Sequence, residues 1–150
     1  MWWPGGPGQW YEAHNSAGTT GTGTVWAVAD GGVGGSGAMS TYVLVANTSA
    51  FNAHVRATLL FENGPTASTE IVVPANSRAN FNLTPTTIMT YPEFAPFFTP
   101  AEIAGLKRFA VVVESLGSPP AQIVVERAMY WHALGQFWAA GTNAVATRLR

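Results

Sequence analysis

Residues 1–20 repeat residues 129–148. Met1, Trp3, Trp10, Asn15 and Thr19 recur as Met129, Trp131, Trp138, Asn143 and Thr147, all at an offset of 128 positions and with no gap. A fixed internal period marks a repeat architecture, and a period as long as a domain requires each repeat to fold on itself. The chain therefore reads as one full unit in residues 24–150. Residues 1–23 read as a linker and the tail of an equivalent preceding unit.

Within the unit the apolar residues recur with period two, bounded by turn residues, which is the pattern of half-buried strands. Strands are expected at Thr24–Asp30, Ser40–Asn47, Ala53–Glu62, Thr69–Val73, Ser77–Leu83, Lys107–Leu116 and Ala121–Trp131. Gly31–Gly35 reads as the turn closing the first. Asn63-Gly64 suits the positive φ angles of a type I′ hairpin turn. No helical segment separates the strands, which excludes a βαβ sheet. The expected fold is all-β, a single immunoglobulin-like β-sandwich of about seven to nine antiparallel strands. Thr84–Gly105 breaks the rhythm, with Ile88, Phe94, Phe97, Phe98 and Ile103 set among Pro85, Pro92, Pro96 and Pro100. Thr99-Pro100-Ala101-Glu102 has the form of a capping box with proline at the first helical position. The segment reads as a cap over one end of the core.

Charged residues make up only 10% of the chain, and the seven Lys and Arg are scattered, so no basic patch is present to engage phosphates. A surface-seeking amphipathic helix is missing for the same reason, and no apolar run is long enough to span a bilayer. There is no cysteine, which removes disulfides, thiol catalysis and thiolate metal sites. No cofactor is called for. MWWPGGPGQ has neither the basic nor the apolar region of a signal peptide. For a unit of an exported array, that signal would lie upstream, so the expected location is the cell surface or beyond.

The runs TVWAVADGGVGG, TYVLVANTS, VRATLLFENG, VPANSR, VVVES and IVVERAMYW resemble a module found as tandem repeats in large secreted or surface-exposed bacterial proteins. The resemblance covers Trp10 to Leu149 and is most specific in ERAMYW and VPANSR. It implies an immunoglobulin-like sandwich in an extracellular array and carries no catalytic residue. Thr84–Gly105 is enlarged relative to that pattern.

Arg127 alternates with Ile123, Val125, Met129 and Trp131, and Glu126 with Val124, Ala128 and Tyr130, so one of the two charges must be largely buried and needs a partner. Asp30 and Glu114 are candidates for Arg127, and Arg78 or Arg56 for Glu126. Glycoside hydrolysis would need two carboxylates about 5–10 Å apart, and the available ones are Asp30, Glu62, Glu114 and Glu126, with no spacing that selects a pair. Gly35-Ser36-Gly37 lacks the pattern of a nucleophile elbow. His14, His54 and His132 are not spaced as metal ligands. Trp10, Tyr11, Trp26, Trp131 and Trp138 are candidates for stacking on sugar rings. The same rings, with Trp2, Trp3 and Tyr130, also suit packing at the joint between consecutive units. The expected partners are neighbouring repeats or copies of the chain, with polysaccharide as the alternative. Met1–Trp3, as the end of a neighbour's strand without its sheet, is expected to seek another edge.

Overall fold

The computed structural model describes residues 2–6, 9–13, 15–62, 64 and 66–150, with side chains from residue 15 onward. The strands are β1 (Trp2–Gly6), β2 (Gln9–Ala13), β3 (Val25–Gly34), β4 (Ser40–Asn47), β5 (Ala53–Phe61), β6 (Thr66–Val73), β7 (Ser77–Leu83), β8 (Leu106–Leu116), β9 (Ile123–Ala133), β10 (Gln136–Val145) and β11 (Thr147–Arg148). Nine of them, among the described residues, form two antiparallel sheets in the orders β10-β9-β4-β7 and β11-β3-β8-β5-β6. The chain is thus an all-β sandwich. The expected turn at Asn63 lies outside the described residues, although β5 and β6 do pair as antiparallel neighbours.

Alternation decides which side chains meet between the sheets. Val43 and Val45 of β4, Val55, Ala57 and Leu59 of β5, Phe81 and Leu83 of β7, Val111 and Val113 of β8, and Ile123 and Val125 of β9 are all buried in one core. Each apolar side chain of this size removed from water contributes roughly 1.5–3 kcal/mol before the ordering of the chain is counted. Asn47 closes one end. Its amide nitrogen donates to the carbonyls of Phe51 (2.8 Å), Val73 (3.1 Å) and Pro74 (3.0 Å), and its oxygen accepts from Ser49 N–H.

Gly31–Gly34 is not the turn expected from its composition. A register shift between Val28 and Gly31 turns the chain, and the glycines then continue β3 against β8. Packing requires them: a Cβ on Gly31 would lie 2.6 Å from the Phe109 ring, and one on Gly34, at φ +88°, 2.1 Å from the Ile103 carbonyl oxygen. Thr41, on the inner face of β4, donates to Gly32 O (2.8 Å) and accepts from Gly32 N–H (2.9 Å), tying the two sheets together at this point.

The Thr84–Gly105 segment covers one end of the core. Two 3-10 turns (Ile88–Thr90 and Ala95–Phe97) and α1 (Pro100–Ala104) carry Ile88, Phe94 and Phe98, all fully buried. The capping box is present: Thr99 Oγ1 accepts from Glu102 N–H, and Glu102 accepts from Thr99 N–H (2.9 Å). Lys107 fastens the cap. Its ammonium donates to Phe97 O and to Glu102 Oε1 (2.7 Å), and lies 4.9 Å from the centre of the Phe61 ring. The bonds from Lys107 and Thr99 hold the Glu102 carboxyl at about 2, well under its ordinary range.

β10 and β11 complete the unit. β11 pairs with β3, and Thr24 N–H donates to Arg150 O (2.8 Å), so the end of the unit lies beside its beginning.

Candidate functional site

The outer face of the four-stranded sheet gathers a cluster of aromatic side chains. Tyr42 of β4, Tyr130 and His132 of β9, and Phe137 and Trp138 of β10 lie there. Trp138 stacks on Tyr130 (ring centres 5.3 Å apart, planes at 24°) and on Phe137 (4.9 Å, 21°), and meets Tyr42 edge-on (5.9 Å, 84°). Offset and edge-to-face pairs of this kind add about 0.5–1.5 kcal/mol each beyond area burial. Burial in the group raises the Tyr42 phenol above its ordinary value.

Local sequence explains how Trp138 reaches this position. The ladder between β9 and β10 shifts register between Gln136 and Ala140, and Trp138 sits at φ +49° in that irregularity. Gly141 stands opposite Tyr130, and a Cβ there would lie 2.9 Å from the Tyr130 ring. The glycine therefore lets the ring lie down on the neighbouring strand.

Beside the cluster is a cleft of about 410 Å³, bounded by Tyr42, Trp138, Phe137, Asn82, Thr84 and His132 among others. A shallower one of about 230 Å³ shares Tyr42 and Trp138 and adds Asn80, Arg78 and Tyr130. The side-chain oxygens of Asn80, Asn82 and Asn143 are buried without a hydrogen-bond donor. Asn143 uses its nitrogen instead, donating to Glu126 Oε1 (2.8 Å) and to Ser16 Oγ (2.9 Å) in the segment that follows β2.

The candidates named from sequence do not converge here. Trp138 is in the cluster. Trp26 is only 1% exposed and belongs to the core, so it has no face to offer a sugar. Trp131 alternates onto the other side of β9 and is half-buried. Trp10 falls on β2, as does Tyr11, and both side chains lie outside the described set. Tyr42 and Phe137, which complete the cluster, were missed. The alternation of β4 places Tyr42 on the outer face and could have marked it. Phe137 lies on β10, a strand without alternation.

The charges separate as well. Arg127 is buried on the inner face of β9, with Nη1 3.3 Å from Asp30 Oδ2, 3.4 Å from Asp30 O and 2.9 Å from Met129 Sδ, while its Nε has no acceptor. Glu114 is not its partner: it lies on the outer face of the other sheet, in register with Arg56, which bonds Glu70 (2.8 Å). Glu126 faces outward and its bonded neighbour is Asn143 rather than an arginine. Glu114 and Glu126 therefore sit on opposite faces of the sandwich and cannot act on one bond. His54 and His132 are likewise on opposite sheets, and His14 lies outside the described residues. No group of three metal-ligating side chains occurs among the described residues.

β1 and β2 pair with each other and lie against β10. Met1 is outside the described residues, but Trp2 and Trp3 are not the unpaired strand end expected from sequence. Trp2 pairs with Ala13 and Trp3 with Glu12. In β9–β10, Tyr130 pairs with Gly141 and Trp131 with Ala140. Adding 128 to both members of the first two pairs gives these two pairs of the second hairpin; nearer the turn the ladders differ, with Pro4 opposite Trp10 and Gly6 opposite Gln9 in the first and Ala133 opposite Gln136 in the second.

No protein-family model matches the chain, and no curated protein matches it. Among solved structures it is similar to Thermotoga maritima 1070, with a TM-score of 0.62 at 14% identity, over 87% of this chain and 97% of that one. It is also similar to the Anabaena sensory rhodopsin transducer, with a TM-score of 0.49 at 23% identity, over 69% of this chain and 92% of that one. At 14% identity the first likeness shows the fold alone.

Proposed function

We propose that the chain is a non-catalytic structural module of an exported bacterial repeat protein, joined in series to units like itself. Its layout is immunoglobulin-like in the broad sense of two antiparallel sheets exchanging successive strands. The observation that carries the reading is that the pairs Trp2–Ala13 and Trp3–Glu12 of β1–β2 recur, 128 residues on, as Tyr130–Gly141 and Trp131–Ala140 of β9–β10. A chance likeness of sequence would not preserve which residues face each other across a hairpin, because register is set by turn and pattern together. The separation of Glu114 from Glu126 supports a role without turnover.

The test is a two-unit chain, residues 1–150 joined directly to a second copy of residues 23–150, which keeps the 128-residue spacing. Its small-angle scattering is expected to fit one fixed arrangement of two units. Two units reorienting freely would contradict the reading.

A second reading is a carbohydrate-binding module, favoured by one observation: the Tyr42–Trp138 cluster borders a cleft beside buried, donor-less Asn oxygens. Aromatic faces next to hydrogen-bonding carboxamides suit sugar rings and hydroxyls. Retention on an insoluble glycan, lost in Trp138→Ala and kept in Trp131→Ala, is the result that would favour it.

A further inference from the structure

One wall of the outer face of the four-stranded sheet is a row of polar groups left without partners. β7 is an edge of that sheet, and its alternation sets Arg78, Asn80 and Asn82 on the outer side, opposite Ala46, Leu44 and Tyr42 of β4. Alternate residues of a strand lie about 6.6–6.8 Å apart, so the three form an evenly spaced row. The Asn80 and Asn82 carboxamides each bury an oxygen that accepts no hydrogen bond. Arg56, Lys107, Arg108 and Arg127 each have a carboxylate oxygen within 3.7 Å. Among the described residues Arg78 has no such partner, and its exposed guanidinium makes no hydrogen bond.

The opposite wall is aromatic. Tyr130 and Trp138 stack there, and Tyr42 meets both edge-on (6.1 and 5.9 Å). On the Arg78 side of Tyr42 lies the hollow of about 230 Å³, with Leu44, Ala128 and Asn80 in its lining. On the Asn82 side lies the cleft of about 410 Å³, and Tyr42 and Trp138 line both. The two hollows therefore follow one another along β7, and a ligand that fills both is a chain rather than a single ring. Glu126 stands in register with Leu44, but it is engaged by Asn143 (2.8 Å) and lines neither hollow.

An aromatic wall suits the apolar face of a sugar ring, and carboxamides suit its hydroxyls. An unpaired guanidinium suits a carboxylate, which it can bind through two parallel N–H donors. We infer that this trough takes an acidic polysaccharide, a chain containing uronate units. One uronate ring would lie in the smaller hollow with its carboxylate on Arg78, and the next ring would lie beyond Tyr42 beside Asn82. The inference rests on the carbohydrate-binding reading and names the class of sugar and the direction of the chain.

The test is calorimetric titration of the full chain with short oligomers of galacturonate, glucuronate and mannuronate. Each is paired with a neutral counterpart whose carboxyl groups are reduced to alcohols. At least one acidic oligomer is expected to bind about tenfold or more tightly than its neutral counterpart, the order of a hydrogen bond to a charged group. That preference should vanish in Arg78→Gln, whose melting temperature should match the parent because the side chain is exposed and unpaired. The single uronic acid should bind at least about tenfold more weakly than the oligomer, since it leaves one hollow empty. Equal binding of acidic and neutral oligomers, or a preference that survives Arg78→Gln, overturns the inference and leaves the carbohydrate-binding reading standing. A single uronic acid that binds as tightly as the oligomer overturns the two-hollow arrangement. No binding of any oligomer, acidic or neutral, defeats the carbohydrate-binding reading as well.

Discussion

Trp131 stands opposite Ala140 in the β9–β10 ladder, and 128 residues earlier Trp3 stands opposite Glu12 in β1–β2. The two pairs share one tryptophan position and differ at the residue across from it. What is preserved is the register, and register is a property of the backbone that side chains only specify. The agreement extends to the neighbouring pair, Trp2–Ala13 and Tyr130–Gly141, and ends nearer the turn.

Gly34 has two independent reasons to be glycine, a φ of +88° and an Ile103 carbonyl oxygen 2.1 Å from where a Cβ would sit. Gly34→Ala should destabilise the fold by about 2 kcal/mol or more, within the range of forced backbone strain plus overpacking. Urea denaturation checks this. A loss below about 0.5 kcal/mol, typical of an unconstrained surface site, would show that the contact is relieved at no cost.

Asn47 supplies donors to three carbonyls at the end of the sandwich. Asn47→Ala leaves them without this donor in a buried place, which costs about 1–3 kcal/mol. Asn47→Asp keeps the shape and replaces the donor with an acceptor, so it should be at least as damaging. Thermal melts of the two variants decide it.

Arg127 is a buried cation with imperfect partners: Asp30 is 3.3 Å away and mostly exposed, and Nε has no acceptor. Replacing such a group with an apolar one of similar length is often neutral or stabilising, whereas removing its counter-charge is not. Arg127→Met should fall within about 1 kcal/mol of the parent, and Asp30→Asn should be the more destabilising of the two. The reverse order in denaturant titrations would mean that the arginine contributes more than its geometry indicates.

Glu102 carries the pH dependence of the cap. Its folded value of about 2 lies below the ordinary carboxyl value of 4.5, so its contribution is fully present above about 4.5 and is lost as pH falls towards 2. Hydrogen exchange at Ile103, whose N–H bonds Thr99 O, should lose protection across that window while the core strands keep theirs. Glu102→Gln should show the weakened protection already at neutral pH. Protection unchanged between pH 5 and pH 2 would contradict the assignment.

Strands with one face in the core were legible because their alternation is dictated by burial. β4, β5 and β7 lie within a residue of where the pattern places them. β10 was not legible: QFWAAGTNAV has small residues on both faces, and Gly141 is there to receive the Tyr130 ring from another strand. The glycine tract of β3 was misread for a related reason, since Gly31 is shaped by Phe109 across the ladder. Thr99-Pro100-Ala101-Glu102 could be read in full because a capping box is local. The aromatic cluster could be read only in part. Which tryptophans enter the core depends on how strands are paired, so Trp26 is buried between the sheets and Trp138 is half-buried on an outer face.

The measurement that bears most directly on the repeat is a crystal structure of the two-unit chain. The account predicts that residues 130–141 of the first unit lie against β10 of the second, as residues 2–13 lie against β10 here. A structure with that hairpin in solvent, or with the second unit's β10 covered by another element, would contradict it.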